Sequence, residues 1–293
     1  MNILIAGGSG FIGSYLTNRF LQEGFQVQII SRKPGDVSWN DDDLVRAIEW
    51  SDVLINLAGR SINCRHTAAN KADIVESRLW AVSKLGAALA KAIQLPRLWI
   101  NASASAFYAG DNLQTNSEFN YEPGSGFLAE TVNLWEYTFF SFALPEFRQV
   151  ALRTSVVLGP NGGAFKPLLN LTKLGLGGAI GSGKQFFSWI HIEDYFRIIL
   201  FCIQNPTISG AINTSSPNPL PQAHLMKAFR ELANVPIGLP APEFAVKMGA
   251  FLMGTEASLL LDPVNIFPKV LVDNGFKFKY PDAKAALKDL ISK

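Results

Sequence analysis

The feature that most constrains the fold lies at the start of the chain, where an aliphatic run leads directly into closely spaced glycines. Residues 2–6 suit a short buried strand, Gly8, Gly10 and Gly13 follow in the spacing G-x-G-x-x-G, and a helical pattern comes next. In such a unit the first glycine permits the tight turn, the second lets the backbone approach a pyrophosphate, and the third lets helix pack on strand. The turn predicts a dinucleotide-binding site. The alternative is a glycine turn that only packs the helix.

Strand and helix patterns alternate through the first half of the chain. The expected strands are 2–6, 26–30, 52–57, 98–102 and 149–154, and the expected helices lie around 44–49, 69–93 and 127–142. The connections are too long for hairpins and suit helical crossovers. The alternation therefore predicts an α/β fold with a doubly wound parallel sheet of the Rossmann type.

The second half is less regular, because glycines interrupt the pattern between residues 162 and 183 and prolines recur between 206 and 242. Residues 189–205 still suit a strand edge and a helix of the first domain, with Asp194 as the expected helix cap. We therefore expect a nucleotide-binding domain at 1–160, joined by 189–205. A smaller substrate domain, mostly helical, would comprise 161–188 and 206–293, with helices at 222–232 and 243–261.

Charge and cysteine content exclude several classes of function. The 293 residues include 26 Lys plus Arg and 24 Asp plus Glu, and the basic residues are scattered, so we expect no nucleic-acid partner. Cys64 and Cys202 lie far apart, which supports neither a disulfide framework nor a zinc site. No apolar stretch reaches membrane-spanning length. We expect a cytoplasmic protein with no membrane partner and no metal site.

The end of the second predicted strand indicates which nicotinamide cofactor the site would prefer. In dinucleotide-binding folds an acidic residue about 20 positions after the glycine turn binds the ribose 2′-hydroxyl of NAD, whereas an arginine accommodates the 2′-phosphate of NADP. Here the strand ends in Ser31, Arg32 and Lys33 without a carboxylate. These residues predict NADP. The alternative is that Arg32 and Lys33 are solvated loop charges.

Further motifs, spread over nearly the whole chain, resemble one group of proteins. Gly7, Gly10 and Gly13 also form G-x-x-G-x-x-G, the spacing of the short-chain dehydrogenase/reductases. The other motifs are Asn-Leu-Ala-Gly at 56–59, Ser-Arg-Leu at 77–79, Trp-Glu at 135–136, Gly-Ser-Gly-Lys-Gln at 181–185, Ser-Trp-Ile-His-Ile-Glu-Asp at 188–194 and Pro-Lys-Val-Leu at 268–271. Together they resemble the atypical extended members called the "epimerase family", which carry a small C-terminal domain of unknown function.

This resemblance implies a Rossmann fold with NADP laid over the carboxyl ends of the strands and a small-molecule substrate held against the smaller domain. The residues expected to bind the cofactor are Gly7, Gly10, Phe11, Ile12, Gly13, Ser31, Arg32, Leu57, Ala58, Gly59 and Ser77. For residues 57–59 the alternative is a buried strand end with a tight turn. Dimers are common among relatives, so a homodimer is also possible.

The acid–base pair of the wider superfamily is missing from this chain. Extended members use Tyr-x-x-x-Lys on a helix, where the lysine lowers the pKa of the tyrosine that exchanges a proton with the substrate. Aligned on Glu136, those two positions hold Leu128 and Val132. Neither of these side chains can carry a proton.

Three hydroxyl side chains remain as catalytic candidates at and just after the end of the strand 98–102. Ser103 matches the position that holds the substrate oxygen in relatives, with Ser105 as the alternative, and Tyr108 resembles a tyrosine that lies near substrate. Two of them also have a structural interpretation, as a backbone cap for Ser103 and as a packing residue for Tyr108.

Three functions fit these observations. The first is an NADP-dependent oxidoreductase for a small or apolar carbonyl or alkene, with its proton from Ser103, Tyr108 or water. The second is a regulator or redox sensor that holds NADP without turnover. The third is a nucleotide-sugar epimerase or dehydratase, which is disfavoured because Phe187 and Val156 stand where such enzymes commonly have an arginine and an asparagine.

Overall fold

The computed structural model describes residues 1–33, 36–110, 115–143, 147–262 and 264–292, with the backbone alone at Met253 and Leu260. Its strands are β1 (Asn2–Ala6), β2 (Gln26–Ile30), β3 (Val53–Asn56), β4 (Leu98–Ala104), β5 (Arg148–Thr154), β6 (Val156–Gly159), β7 (Gly162–Gly163), β8 (Phe186–Phe187), β9 (Trp189–His191), β10 (Gly210–Thr214) and β11 (Leu220–Pro221). Its α-helices are α1 (Phe11–Gln22), α2 (Asp41–Trp50), α3 (Ala68–Leu89), α4 (Gly126–Phe140), α5 (Phe165–Leu171), α6 (Ile192–Gln204), α7 (Gln222–Ala233), α8 (Glu243–Met253), α9 (Ser258–Leu261), α10 (Lys269–Asp273) and α11 (Ala283–Ile291).

The main sheet is parallel throughout, and its strand order among the described residues is β10-β5-β4-β3-β1-β2. The chain first moves from β1 outward to β2 and then returns to place β3 on the other side of β1. Ligands of open α/β sheets bind at the carboxyl ends of the strands where the order reverses in this way. The predicted doubly wound Rossmann-type sheet is confirmed, and it puts the binding crevice above β1 and β3.

Side chains alternate between the two faces of the sheet, and both faces are covered. Ile3 and Ile5 of β1 pack with α1 and α6 on one face, while Leu4 packs with α2 and α3 on the other. All three side chains are fully buried. Such two-sided burial explains the continuous aliphatic runs of the sequence, because a strand covered by helices on both faces needs apolar residues at every position.

One strand of the main sheet lies outside the boundaries expected from the sequence. Gly210–Thr214 falls in the range 206–293 assigned to the smaller domain, yet it pairs in parallel with β5 at the sheet edge. Leu271 and Phe276 of the same range are buried in the core of the main domain. The strand was missed because it is short and lies in a proline- and glycine-rich segment that predicts loops.

Two helix assignments also differ from the expectation. The segment 243–261 forms α8 and α9, separated at Gly254, which adopts a left-handed conformation with φ of +70° and ends α8. His191, not Asp194, is the N-cap of α6, and its side chain accepts a hydrogen bond from the Glu193 N–H. The Asp194 carboxylate instead accepts the N–H groups of Lys279 and Tyr280 at 2.8 Å each.

The smaller part of the molecule has its own apolar core, formed mainly by α5, α7 and α11. Phe165, Leu225, Phe229 and Leu287 are buried together there. Of the described helices, none is long and apolar enough to cross a membrane.

Candidate functional site

The glycine turn between β1 and α1 is closed so tightly that it excludes side chains. A Cβ on Gly13 would overlap the carbonyl oxygen of Gly7 and lie 2.7 Å from the Cα of Gly8. Gly7 has a φ of +80°, and a Cβ there would lie 2.9 Å from the backbone of Leu57 and Ala58. The turn therefore brings the start of α1 against the end of β3, at the reversal point of the sheet.

The start of α1 offers hydrogen-bond donors that the protein itself leaves unused. Gly10 is the N-cap and has no side chain to accept a bond; its own N–H donates to the Gly7 carbonyl, and the helical ladder begins with the bond from the Ser14 N–H to the Gly10 carbonyl. The N–H groups of Phe11, Ile12 and Gly13 accordingly have no acceptor among the described residues. Such amides at the positive end of a helix dipole form an anion site.

The ring of Phe11 has a different role from its amide. It packs on the glycines of the β6–β7 turn, where a Cβ on Gly159, Gly162 or Gly163 would lie within 3.0 Å of the ring. The ring thus fixes the start of α1 against the β6–β7 turn. What Phe11 could give to a cofactor is its N–H group.

The end of β2 carries a carboxylate that the sequence analysis did not place there. The Ser31 hydroxyl donates to the Asp36 carboxylate at 2.6 Å and accepts the Lys33 N–H. Arg32 is exposed beside this pair. The sequence has no carboxylate directly at this strand end, but the prediction that none lies there is wrong for the folded protein. Val37 pairs with Ile30, and this pairing brings the neighbouring Asp36 to the end of β2.

The end of β3 is held by a pair of buried asparagines. The Asn56 side chain donates to the Asn101 side chain of the neighbouring strand at 2.7 Å and accepts the Ala58 N–H. Leu57 donates its N–H to the Ala6 carbonyl. These bonds fix residues 57–59 in a bend over Gly7, so the strand end and tight turn of the structural interpretation are present, and the bend lies beside the glycine turn.

Ser77 lies on α3 and supports the loop that follows β3. Its hydroxyl accepts the Arg60 N–H at 2.9 Å and donates to the Ile74 carbonyl. The next residue, Arg78, donates to the carbonyls of Arg60 and Ile74. Ser77 therefore stabilises the loop after β3 at the edge of the crevice.

The first catalytic candidate, Ser103, lies in a buried ionic network. Its hydroxyl donates to the Glu136 carboxylate at 2.5 Å, and Arg153 binds the same carboxylate through two nitrogens at 2.9 and 2.7 Å. Ser103 is only 4% exposed. Its proton is thus committed to Glu136.

The second candidate, Tyr108, joins the same network from the other side. Its hydroxyl donates to the Asn213 side chain at 2.7 Å and accepts a bond from Arg153 at 3.0 Å. Burial raises the pKa of Tyr108 to about 12, against the lowering effect of the nearby guanidinium. Because Asn213 belongs to β10, this contact also ties the strand that sequence analysis missed to the candidate site.

Ser105 differs from both. It begins a 3₁₀ turn, Ser105–Phe107, directly after β4, and it is half-buried. Its hydroxyl makes no hydrogen bond within the described part of the chain. Of the hydroxyl groups proposed for catalysis, that of Ser105 is the one with its proton uncommitted.

Helix α4 presents apolar side chains where the superfamily has its acid–base pair. Val132 is buried, and Leu128 is half-buried one turn earlier. Glu136, one turn after Val132, accepts hydrogen bonds from Arg153 and Ser103. Within the ranges that the structure describes, no group of three or more His, Cys, Asp or Glu side chains could hold a metal ion.

Three functional candidates in this region were missed or used only as markers in the sequence analysis. Glu136 was a marker of family resemblance, and neither Arg153 nor Asn213 received a functional role. Opposite charges on separate elements signal a pair only when the topology is known, so no local pattern could have joined them.

Comparison with known proteins fixes the family. The sequence pattern of the NAD dependent epimerase/dehydratase family matches residues 3–213. The chain belongs to this family. A second pattern, that of a domain of unknown function (DUF1731), matches residues 241–290. The resemblance stated from the motifs is thereby confirmed for both parts.

Relatives in the epimerase family match the chain from end to end. Epimerase family protein YfhF of Bacillus subtilis (strain 168) is 33% identical over 303 residues, which cover 100% of this chain and 98% of YfhF. Epimerase family protein SDR39U1 of Bos taurus is 34% identical over 304 residues, with 100% of each chain covered. The crystal structure of human epimerase family protein SDR39U1 (isoform2) with NADPH is similar at a TM-score of 0.90 and 32% identity, again over 100% of both chains.

Proposed function

We propose that this epimerase-family protein binds NADP(H) and acts as an oxidoreductase on a small or apolar carbonyl or alkene. The observation that carries the proposal is the glycine turn, whose closed geometry leaves three amides free beside the end of β3. The human relative crystallised with NADPH supports the same cofactor. When bound, NADPH supplies a hydride, and the chain must supply everything else.

The residues around the turn fit the parts of a dinucleotide. The N–H groups of Phe11, Ile12 and Gly13 would bind the pyrophosphate. Residues 57–59 would line the adenosine side, since they bend over Gly7, and Ser77 would hold their continuation through Arg60. In this assignment backbone N–H groups bind the charged pyrophosphate, and residues 57–59 pack against the adenosine.

The 2′-phosphate would lie at the end of β2. Arg32 is exposed there and has no ion-pair partner among the described residues, so its guanidinium is available for a phosphate. Asp36 opposes this binding, since its carboxylate lies 2.6 Å from the Ser31 hydroxyl. Phosphate binding at this position requires that the attraction between Arg32 and the phosphate exceed the repulsion between Asp36 and the phosphate.

Parallel titrations with NADPH and NADH, followed by nicotinamide fluorescence, test the cofactor. We expect Arg32→Ala to weaken NADPH binding by about tenfold or more, the loss of a charge-assisted bond, and to leave NADH binding unchanged. Arg46→Ala is the matched control, since Arg46 is an exposed arginine paired with Asp43 on α2. Equal loss for both nucleotides, or no loss, would contradict the assignment.

For the proton step, the hydrogen bonds favour Ser105 over the other two hydroxyls. Ser103 and Tyr108 donate their protons to Glu136 and Asn213, whereas Ser105 is uncommitted. In this assignment Ser105 donates a hydrogen bond to the substrate oxygen, and water supplies the proton that the substrate takes up with the hydride. Ser103 and Tyr108 hold the end of β4 in position. Protein loaded with NADPH and mixed with a panel of carbonyls and enones should oxidise the cofactor. Ser105→Ala should slow that reaction far more than Ser103→Ala at equal NADPH affinity.

A second function is favoured by the closed network itself. With Leu128 and Val132 in the acid–base positions, the protein would hold NADP(H) without turnover and act as a regulator or redox sensor. Tight NADPH binding together with no oxidation across the substrate panel would select this function. Repeated oxidation of bound NADPH by any one substrate would exclude it.

A nucleotide-sugar epimerase is the third function, suggested by the family name. Phe187, in the position of the diphosphate-binding arginine, pairs with Leu220 and cannot bind phosphate. Saturable binding of a UDP- or dTDP-sugar would restore this function as the leading one.

A further inference from the structure

Arg78 on α3 is a half-buried cation without a carboxylate partner among the described residues. One nitrogen of its guanidinium donates to the backbone carbonyls of Arg60 and Ile74, at 3.0 and 2.8 Å. Burial alone lowers the pKa of Arg78 to about 10, and no acidic side chain opposes that shift. A guanidinium carries five N–H donors, so most of its capacity is unused.

The position of Arg78 is the edge of the candidate crevice. Its side chain runs back along the helix toward the loop after β3, and a Cβ on Gly59 would lie 3.3 Å from its Cγ. On the other side, its Cζ lies 5.1 Å from the ring centre of Trp135 on α4. Arg78 thus lies between residues 57–60 and the helix that carries the apolar replacements.

A second cation, Lys71, lies on the same face of α3. Lys71 lies seven residues before Arg78, which is two helical turns and therefore the same side. Its ammonium lies 5.1 Å from the ring centre of Phe127 at the start of α4. In the described part of the chain it forms no ion pair. The side of α3 that packs on α4 therefore carries two cations, each close to an aromatic ring of α4 and without an ion-pair partner among the described residues.

Neighbouring cations are neutralised, which makes the contrast informative. Arg60 pairs with Asp73 and also donates to Asn70, and Arg153 is bound by Glu136. Leaving a half-buried guanidinium without a counter-charge costs free energy, because two carbonyl bonds and an aromatic ring offset its desolvation only in part. A ligand that brings the missing anion would recover that cost.

We propose that Arg78, with Lys71 at the rim, binds an anionic oxygen group, a carboxylate or a phosphate, of the ligand that occupies the crevice above β1 and β3. The planar guanidinium suits a two-oxygen group, and the ammonium adds charge at the entrance. The inference deepens the site proposed above and rests on it only for the position of the crevice. It narrows the substrate from small carbonyls or alkenes in general to those with a carboxylate or phosphate, unless the anion belongs to the cofactor.

The test is isothermal titration calorimetry with malonate and with inorganic phosphate, on protein with and without saturating NADPH, beside an NADPH titration. Arg78→Gln should weaken the binding of the anion by about tenfold or more, as expected for a charge-assisted bond. Arg78→Lys should retain part of the affinity. Lys84→Gln is the matched control, because it removes from the same helix a cation that already pairs with a carboxylate, that of Asp41 at 3.1 Å, and it should bind like wild type.

The source of the anion follows from which titration changes. Weaker malonate or phosphate binding to NADPH-loaded R78Q, with NADPH affinity intact, identifies a substrate group. Weaker NADPH binding, with neither probe bound by the loaded protein, identifies a phosphate of the cofactor. Anion binding that R78Q abolishes in a protein without NADPH affinity would overturn the proposed cofactor and leave this inference standing.

The inference is overturned if R78Q binds NADPH and both anions as wild type does, or if wild type binds no anion and R78Q leaves NADPH affinity unchanged. Thermal melts establish that each variant is folded. Should R78Q fail to fold, K71Q and R78K decide: wild-type affinity in both would equally overturn the role of these two cations.

Discussion

At the scale of single residues, Glu136 and Arg153 form a buried ion pair within the candidate site. Their side chains are 7% and 8% exposed, and Ser103 adds a third bond to the carboxylate. Glu136→Gln leaves the guanidinium buried without its counter-charge, so we expect a loss of about 3 to 5 kcal/mol in the free energy of unfolding, measured by urea denaturation.

The exposed pair of Glu243 and Lys247 supplies the control, since both side chains are more than half exposed. Glu243→Gln should change the free energy of unfolding by no more than about 0.5 kcal/mol. Similar losses for the two variants would mean that the buried network contributes no more than a surface pair.

A second prediction concerns Asp36, the carboxylate beside the expected phosphate site. Asp36→Asn removes a negative charge while an amide oxygen can still accept the Ser31 hydroxyl. We expect NADPH affinity to rise severalfold, about 1 kcal/mol at a partly exposed site, and NADH affinity to stay or fall. Fluorescence titration measures both. A fall in NADPH affinity would show that Asp36 orders the site instead of opposing the phosphate.

The sequence predicted the backbone geometry of the glycine turn far better than the side-chain pairings. Gly7 and Gly13 of the turn were identifiable because no other residue fits their geometry. Asp36 beside Ser31, and Glu136 beside Arg153, depend on how a loop returns and on which helix covers which strand. Pairs of that kind leave no periodic trace, so the roles of Ser103 and Tyr108 could be proposed only from position.

At the scale of elements, Gly13 controls how α1 approaches the sheet. A Cβ there meets the backbone of Gly7 and Gly8, which cannot move away as a flexible side chain could. Gly13→Ala should therefore abolish NADPH binding and lower the melting temperature by several degrees. Differential scanning fluorimetry with and without NADPH measures both effects.

Gly249, in the middle of α8, is the matched position for this prediction. A Cβ there would meet nothing within 4 Å, so Gly249→Ala should stabilise the protein by about 0.5 to 1 kcal/mol through helix propensity and leave NADPH binding intact. Unchanged nucleotide binding in Gly13→Ala would show that the turn tolerates the displacement and that the site lies elsewhere.

Most elements of the main sheet were predictable from hydrophobic runs, and the exceptions have a common cause. β1 and β2 were placed at their observed bounds, whereas β10 was missed and α8 and α9 were merged. These elements lie in the glycine- and proline-rich half, where short segments are positioned by contacts with distant parts of the chain. Local propensity carries little information there.

At the scale of the whole molecule, Asp194 joins the main domain to the C-terminal segment through the N–H groups of Lys279 and Tyr280. Burial raises the pKa of Asp194 above its ordinary value, although these two bonds lower it. The folded state therefore binds the proton more tightly than the unfolded state. As pH rises from about 4, the unfolded pKa, to the raised folded pKa, Asp194 makes the protein less stable, and above that its contribution is constant.

Asp194→Asn removes this titration and one of the two acceptor oxygens. The difference in unfolding free energy between wild type and variant should fall with rising pH over that interval and then level off. Urea denaturation at closely spaced pH values measures the difference. A difference that grows with pH would mean that the two backbone bonds outweigh burial.

The whole chain should unfold as one cooperative unit, despite its two sequence patterns. Leu271 and Phe276 from the C-terminal region lie in the core of the main domain. The loop after β3 also binds the region around α8, through Arg65 to the Phe251 carbonyl and through the His66 N–H to Glu256. We expect a single calorimetric transition whose van't Hoff and calorimetric enthalpies agree.

A chain cut after residue 205 provides the decisive comparison, because it ends where the sequence placed the end of the main domain. It would lack β10 and leave the backbone groups of β5 unpaired at a new edge. It would also lack Asn213, the acceptor of the Tyr108 hydroxyl, and the two core side chains of the C-terminal region. We expect it not to fold and not to bind NADPH. A folded, NADPH-binding fragment would show that β10 and the C-terminal region only cover a domain that is complete without them.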